Sequence, residues 1–288
     1  IMEDRTAAST AETHMFDAQP LKRSLETTKM LASVGLHDVF NRFSVGFQSA
    51  VNVRLVHAQA NRGLSRMWGE GHFNRFGPPI PSTSVSAGAG WFALVPLAVE
   101  EVFGRVHTAQ EWDDLAMYWA YVLYIMGVEE EIIPKTGDAI RRQTDYLFAA
   151  AGDGNQFRTQ MAETLLGALE RADEDLPYRA MGALSLIVGR EAITETLEGT
   201  RWDVPRIDEY AAEAKQKGLQ QAQAAIAADA EPDAQVKREA RAQEGMPPWM
   251  ARHKATLAKL EQLDIPVKAD YSSHDHVHDQ GPRVPQGL

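Results

Sequence analysis

Cysteine is absent from the 288 residues of this chain. Its absence excludes disulfide bridges, thiolate nucleophiles, iron–sulfur clusters and any other metal centre that needs a thiolate ligand. Signals for β-strands are also scarce, because no hairpin dipeptide lies between alternating apolar runs. Helical periodicity of the apolar residues dominates instead. We therefore predict an all-α fold without covalent cross-links.

Basic residues are too few to balance the acidic ones. The chain has 29 Lys and Arg against 40 Asp and Glu, which gives a formal net charge of -11. Such a chain repels phosphate backbones, so we expect no nucleic-acid partner. Long apolar runs are also missing, since the most apolar stretch, residues 115–128, is short for a bilayer span and contains three tyrosines. We expect no transmembrane segment.

Residues 1–18 are polar and have no apolar run of the kind found in signal peptides. We therefore expect no signal peptide and a cytoplasmic location. Hydrophobic residues make up 44% of the chain, which is enough for one sizeable core. We predict an N-terminal arm at 1–16, one helical domain at 17–230, and a C-terminal extension with an irregular tail at 231–288.

Periodicity and capping signals predict most of the helices. A capping box at Thr108 and Glu111 predicts the start of one helix, and Gly127 its end. Pro96 predicts a kink in another. The predicted helices are residues 17–34, 43–68, 84–103, 108–126, 138–151, 155–170, 177–198 and 207–228, with a loop at 69–82 and a short amphipathic helix at 249–263.

One face of the second predicted helix carries a single histidine among small and apolar residues. Its members follow helical spacing: Gly46, Ala50, Val53, His57, Ala60 and Leu64. A planar macrocycle needs such a surface, with a nitrogen ligand for a metal and little bulk beside it. Arg54 and Arg62 could pair with carboxylates of a cofactor or pack the helix. The alternative is a core histidine hydrogen-bonded to a neighbour.

The first predicted helix presents polar groups on one face. Arg23, Glu26, Thr27 and Met30 follow the i, i+3, i+4, i+7 pattern. This face offers a cation, a carboxylate and a hydroxyl beside apolar residues. The alternative is a solvated face with an internal pair between Arg23 and Glu26.

The order of these motifs resembles the latex clearing proteins and the wider group of haem oxygenases that includes the mycophenolic-acid-pathway oxygenase. The resemblance begins with Arg23 and Thr27 and continues with the sequence Arg-Leu-Val-His-Ala at residues 54–58. Similar segments follow at residues 76–80, 103–127 and 186–189. The resemblance covers roughly residues 17–205.

The resemblance implies an all-helical fold with a globin-like core that encloses one non-covalent b-type haem. His57 would be the proximal iron ligand. On the helix face described above, Val53 would lie beside the macrocycle, and Arg54 and Arg62 are candidates for pairing with its propionates or for packing the histidine helix. Arg23 and Thr27 would lie near the haem. The expected function is a haem-b-dependent oxygenase acting with dioxygen on an apolar or aromatic small molecule, by oxidative C=C cleavage or monooxygenation.

Glu26 departs from the family pattern, in which the rubber-cleaving members have a lysine before the threonine. A carboxylate near the iron could act as a general base or accept a hydrogen bond. We therefore take Arg23, Glu26 and Thr27 as the candidate catalytic residues. The alternatives are a haem carrier or sensor without turnover, and a cofactor-free helical interaction protein. The sequence leaves the substrate and the oligomeric state open.

Histidines elsewhere are weaker candidates. The tail at residues 273–279 alternates histidines with carboxylates and could bind Zn, Cu or Ni, but no apolar framework surrounds it. We interpret it as a solvated tail. His37, His72 and His107 lie near predicted loops, and we assign none of them to the site.

Overall fold

The computed structural model describes residues 9–10, 20–35, 40–150, 156–202, 204–243, 255 and 258. No strand occurs within these ranges, which confirms the all-α prediction. The helices are α1 Pro20–Val34, α2 Val45–Trp68, α3 Glu70–Phe76, α4 Ser82–Ala89, α5 Val95–Val102, α6 Ala109–Met126, α7 Gly137–Ala150, α8 Gln156–Ala172, α9 Leu176–Val188, α10 Arg190–Leu197, α11 Val204–Asp229 and α12 Ala234–Gln243.

The first hydrophobic core forms where α1 and α2 pack on each other and α2 packs on α6, which in turn contacts α7. The cluster's larger members are Met30, Val34, Val53, Trp119, Leu123 and Ile140. Helix α6 begins at the predicted capping box, in which Thr108 and Glu111 cap each other's backbone. It ends at Gly127, whose φ of 87° is the left-handed conformation that glycine adopts readily. The predicted limits of this helix are confirmed.

The second core lies among α8, α9, α10 and α11. Its buried members are Leu166, Tyr178, Ile193, Leu197, Trp202 and Ile207. Helices α9 and α11 approach very closely at Gly182. A Cβ at this position would lie 2.7 Å from the backbone nitrogen of Ala211 and 2.8 Å from the carbonyl carbon of Tyr210. The absence of a side chain at Gly182 therefore sets the distance between the two helices.

The predicted kink at Pro96 takes the form of a π-helical segment, Gly90–Leu94, between α4 and α5. Proline has no N–H to donate to the carbonyl four residues earlier, and its ring crowds that carbonyl, so a wider turn relieves the conflict. The whole stretch Ser82–Val102 is long and apolar enough to cross a membrane by length and composition. A single such helix is weak evidence, so the absence of a transmembrane segment stays a prediction.

Three features of the predicted helix pattern were wrong or incomplete. The predicted loop at 69–82 contains the helix α3, and the predicted helix at 177–198 is divided at Gly189, whose φ is 88°. Such a backbone cannot continue a right-handed helix, so α10 starts afresh. Helix α12 was not predicted. Most of the predicted helix at 249–263, and all of the histidine tail, lie outside the described residues.

Candidate functional site

Helix α2 holds His57 on the side that faces the first core. The Ser44 side chain caps this helix by accepting a hydrogen bond from the backbone N–H of Phe47. Ala50 and Val53, two turns and one turn before His57, are 0% and 4% exposed. His57 itself is partly buried. The predicted stripe therefore exists, and His57 is a partly buried imidazole within it, between the buried residues Val53 and Leu64.

Helix α1 packs against α2 and carries the candidate polar residues. Glu26 is 1% exposed, although carboxylates are rarely buried unless they are paired. Its Oε2 lies 3.6 Å from Nη1 of Arg23, whose side chain is 27% exposed. The buried carboxylate of Glu26 thus lies beside the partly exposed guanidinium of Arg23. The predicted Arg23–Glu26 pair forms, but it is not on a fully solvated face.

The charge on Arg23 also acts on His57. Burial of the imidazole lowers the pKa of His57, and the positive charge of Arg23 lowers it further, to about 4. Both effects disfavour the protonated ring, because burial removes its hydration and Arg23 repels its charge. The imidazole is therefore neutral at physiological pH, which is the form that donates a nitrogen lone pair to a metal.

This lowered pKa predicts an acid-sensitive stability for the cofactor-free protein. Above about pH 6.5 the ring is neutral in both the folded and the unfolded chain, so this contribution is constant. Between about pH 6.5 and the folded-state pKa of about 4, only the unfolded chain binds the proton, so the free energy of unfolding falls as the pH falls.

Urea unfolding at about pH 7 and about pH 4.5 measures the effect, which linkage puts at about 2–3 kcal/mol. We expect the wild-type protein to lose that much more stability than His57→Gln over this range. Equal losses in the two proteins would show that His57 has the same pKa in the folded and the unfolded chain.

The remaining predicted residues are Thr27, Arg54 and Arg62, of which the first two make hydrogen bonds to backbone carbonyls. Thr27 donates its hydroxyl hydrogen to the carbonyl oxygen of Arg23, at 3.3 Å. Arg54 donates from Nη1 to the carbonyl oxygen of Ile125, at 3.4 Å. Its guanidinium also lies against Gly127, where it meets the negative end of the α6 dipole. Arg62 is exposed. The geometry favours helix packing for Arg54, which is one of the two roles that the sequence suggests.

The sequence did not predict that the side-chain amide of Asn61 holds a second segment of the chain beside the histidine. Asn61, one turn after His57, donates from Nδ2 to the carbonyl oxygen of Ile80 at 2.9 Å. The backbone N–H of Ile80 donates to Oδ1 of Asn61 at 2.6 Å. This two-way pairing fixes the Pro-rich segment that follows α3 against the histidine helix. The only sequence signal was the spacing of an amide at i+4 from His57.

No cluster of three or more His, Cys, Asp or Glu side chains in the described part of the chain could hold a metal ion. His72 packs its ring on Trp68, with centroids 4.6 Å apart. His107 lies 3.0 Å from a carboxylate oxygen of Glu100. His57 therefore offers a single nitrogen, which suits a metal whose other ligands come from a cofactor.

The chain is similar to known oxygenases. A family model described as "ER-bound oxygenase mpaB/B'/Rubber oxygenase, catalytic domain" matches residues 1–260. A rubber oxygenase of Streptomyces sp. (strain K30) is 25% identical over 200 residues, which cover 62% of this chain. The chain spans about half, 47%, of that relative's length. No solved structure matches. The matched range includes most of the chain, and the chain belongs to the family of mpaB and rubber oxygenase catalytic domains.

Proposed function

We propose that this chain is a haem-b-dependent oxygenase that acts with dioxygen on an apolar or aromatic small molecule. The observation that carries the proposal is the neutral, partly buried imidazole of His57, in the middle of a stripe of small and apolar residues on α2. Family membership supports the oxygenase activity. The donor chemistry fits a haem, because the macrocycle supplies four nitrogens and needs one more from the protein.

His57 would hold the iron, and Val53 would contact the macrocycle one turn earlier on the same helix face. Bound haem would supply the iron that activates dioxygen. Burial keeps the imidazole neutral, and Arg23 adds to this effect. Arg23 is partly exposed, so its guanidinium can also pair with a propionate or another anion. The exposed Arg62 is a second candidate for a propionate.

Glu26 would control protons and charge near the iron. Its carboxylate is buried and lies close to Arg23, so it can accept a hydrogen bond in a region from which water is largely excluded. A carboxylate here cannot serve as a neutral amine ligand, so rubber cleavage does not transfer directly to this chain. A smaller or more polar substrate than a polymer suits this change.

The proposal is tested by titrating haem into the purified chain and then following oxygen consumption by the ferrous protein. Candidate substrates are short isoprenoid alkenes and simple aromatic compounds. We expect a Soret band that saturates at one haem per chain, and oxygen uptake that depends on substrate. Haem binding without any oxygen uptake would contradict the oxygenase and favour a carrier or sensor. A chain that binds no haem would contradict the cofactor.

Replacement of Glu26 by Gln is expected to lower turnover on the order of 100-fold, the usual contribution of a general acid or base. The haem content should not change, because the iron ligand is on the other helix. Steady-state oxygen uptake and the Soret absorbance per chain measure the two quantities. The exposed Glu70→Gln is the matched control and should leave both unchanged. Loss of haem in Glu26→Gln would contradict a role in turnover that is separate from haem binding.

A further inference from the structure

A groove opens on the surface between α5, α9 and α11, with a volume of about 290 Å³. Its walls are apolar, with Val99 and Val102 on α5 and Leu186 and Ile187 on α9. Val102 is 58% exposed, and Ile187 is 36% exposed. These side chains face the open groove, where transfer of apolar surface out of water favours an apolar occupant.

Small residues on α11 make the groove deep enough to hold the aliphatic part of a ligand. Ala214 and Gly218 lie one turn apart on the groove side of this helix. The ring of Phe103 packs where a Cβ on Gly218 would be, so the aromatic ring closes the groove near its floor. A side chain at Gly218 would displace this ring. The groove is therefore a shaped cleft of nearly the size of small-ligand pockets, which begin at about 300 Å³.

Among the described residues, the polar side chains that line the groove all come from α11. Lys217 and Gln221 lie one turn apart on this helix and complete the lining. Lys217 is exposed, and it takes part in no ion pair with the described residues. An ammonium and an amide at this spacing can both donate to one carboxylate. A cation beside an apolar cleft, in a chain of net charge -11, selects an anionic head group on an apolar ligand.

We propose that this groove binds a long-chain carboxylate, with its apolar chain along α5 and α9 and its head group at Lys217 and Gln221. The site is separate from the histidine face, because no residue of α1 or α2 lines it. None of its lining residues belongs to either core cluster. The inference does not depend on the haem or on the oxygenase activity.

Calorimetric titration of the full chain with dodecanoate and with the uncharged dodecanol tests the proposal. Both ligands should bind, and dodecanoate should bind more tightly. Lys217→Glu should weaken dodecanoate binding about fivefold to tenfold, the range for one partly exposed ion pair and its reversal, and leave dodecanol unaffected. Ala214→Trp should abolish binding of both, because the indole fills the cleft.

Matched controls lie on the same helix. Lys215→Glu makes the same charge change, and Ala212→Trp the same increase in volume, at exposed positions that do not line the groove. Both should bind dodecanoate as the wild type does, and so should His57→Ala. Absence of dodecanoate binding by the wild type would overturn the proposal. Equal weakening by Lys217→Glu and Lys215→Glu would also overturn it, since only the net charge would then matter.

Discussion

Replacing His57 with Ala is expected to remove haem from the protein and with it all oxygenase turnover. Even the loss of a residue that only supports a metal ligand lowers metal affinity by about 10–100-fold, so loss of the ligand itself should exceed about 100-fold. The Soret absorbance of the purified variant, read against the protein absorbance, measures the effect. Circular dichroism should show the same helix content as the wild type, because His57 is not one of the core cluster residues.

Imidazole added to His57→Ala should restore part of the Soret band, because the free base can occupy the space left by the side chain. His72→Ala is the control, since its ring packs on Trp68 at the C-terminal end of α2, about three turns after His57. It should bind haem as the wild type does. Full haem binding by His57→Ala, or loss of haem in His72→Ala, would show that the ligand has been assigned to the wrong histidine.

Replacing Gly182 with Ala is expected to destabilise the protein by about 2–3 kcal/mol, within the range for overpacking a close contact. The new methyl group would meet the backbone of α11 at Ala211 and Tyr210, and neither atom can rotate away. Because these contacts are with backbone atoms of α11, the strain cannot be relieved by a side-chain rotation. The second core should open slightly, and the free energy of unfolding in urea should fall.

Gly63→Ala is the matched control and should have the opposite sign. Gly63 lies inside α2, and a Cβ there meets nothing within 4 Å. The same substitution gains helix propensity without any clash, so it should stabilise the protein by about 0.5–1 kcal/mol. If the two variants shift the urea midpoint in the same direction, the close approach of α9 and α11 is not what Gly182 provides.

Local signals predicted the helices whose ends are set by their own residues. Thr108, Glu111 and Gly127 define α6 through contacts within a few residues, so its limits could be read from the sequence. Gly189 could not be assigned in this way, because a glycine between two apolar helical patterns is compatible with either a continuous helix or a break. Helix α3 was missed because residues 69–82 are rich in Gly, Pro and Ser, which are typical of loops.

In the candidate site, too, spacing within one helix was predictable from the sequence, and contacts between helices were not. Helical spacing placed Val53 and His57 on one face, and the i, i+3 spacing placed Arg23 beside Glu26. The effect of Arg23 on His57 could not be predicted from spacing, because it depends on how α1 packs against α2. Arg54 points to the end of α6, which is 71 residues further along the chain at Ile125. Such contacts are decided by tertiary packing.

The pairing of Asn61 with Ile80 closes a loop that consists of the last two turns of α2, helix α3 and the segment after α3. The side-chain amide of Asn61 holds both ends of this loop together. A change in the length of the loop therefore leaves the position of the His57 imidazole, one turn before Asn61, unchanged. Loop closure costs only about 0.6 kcal/mol for each doubling of loop length. Segments inserted after α3, between Phe76 and Ile80, could therefore reshape the surroundings of the site while His57 keeps its position.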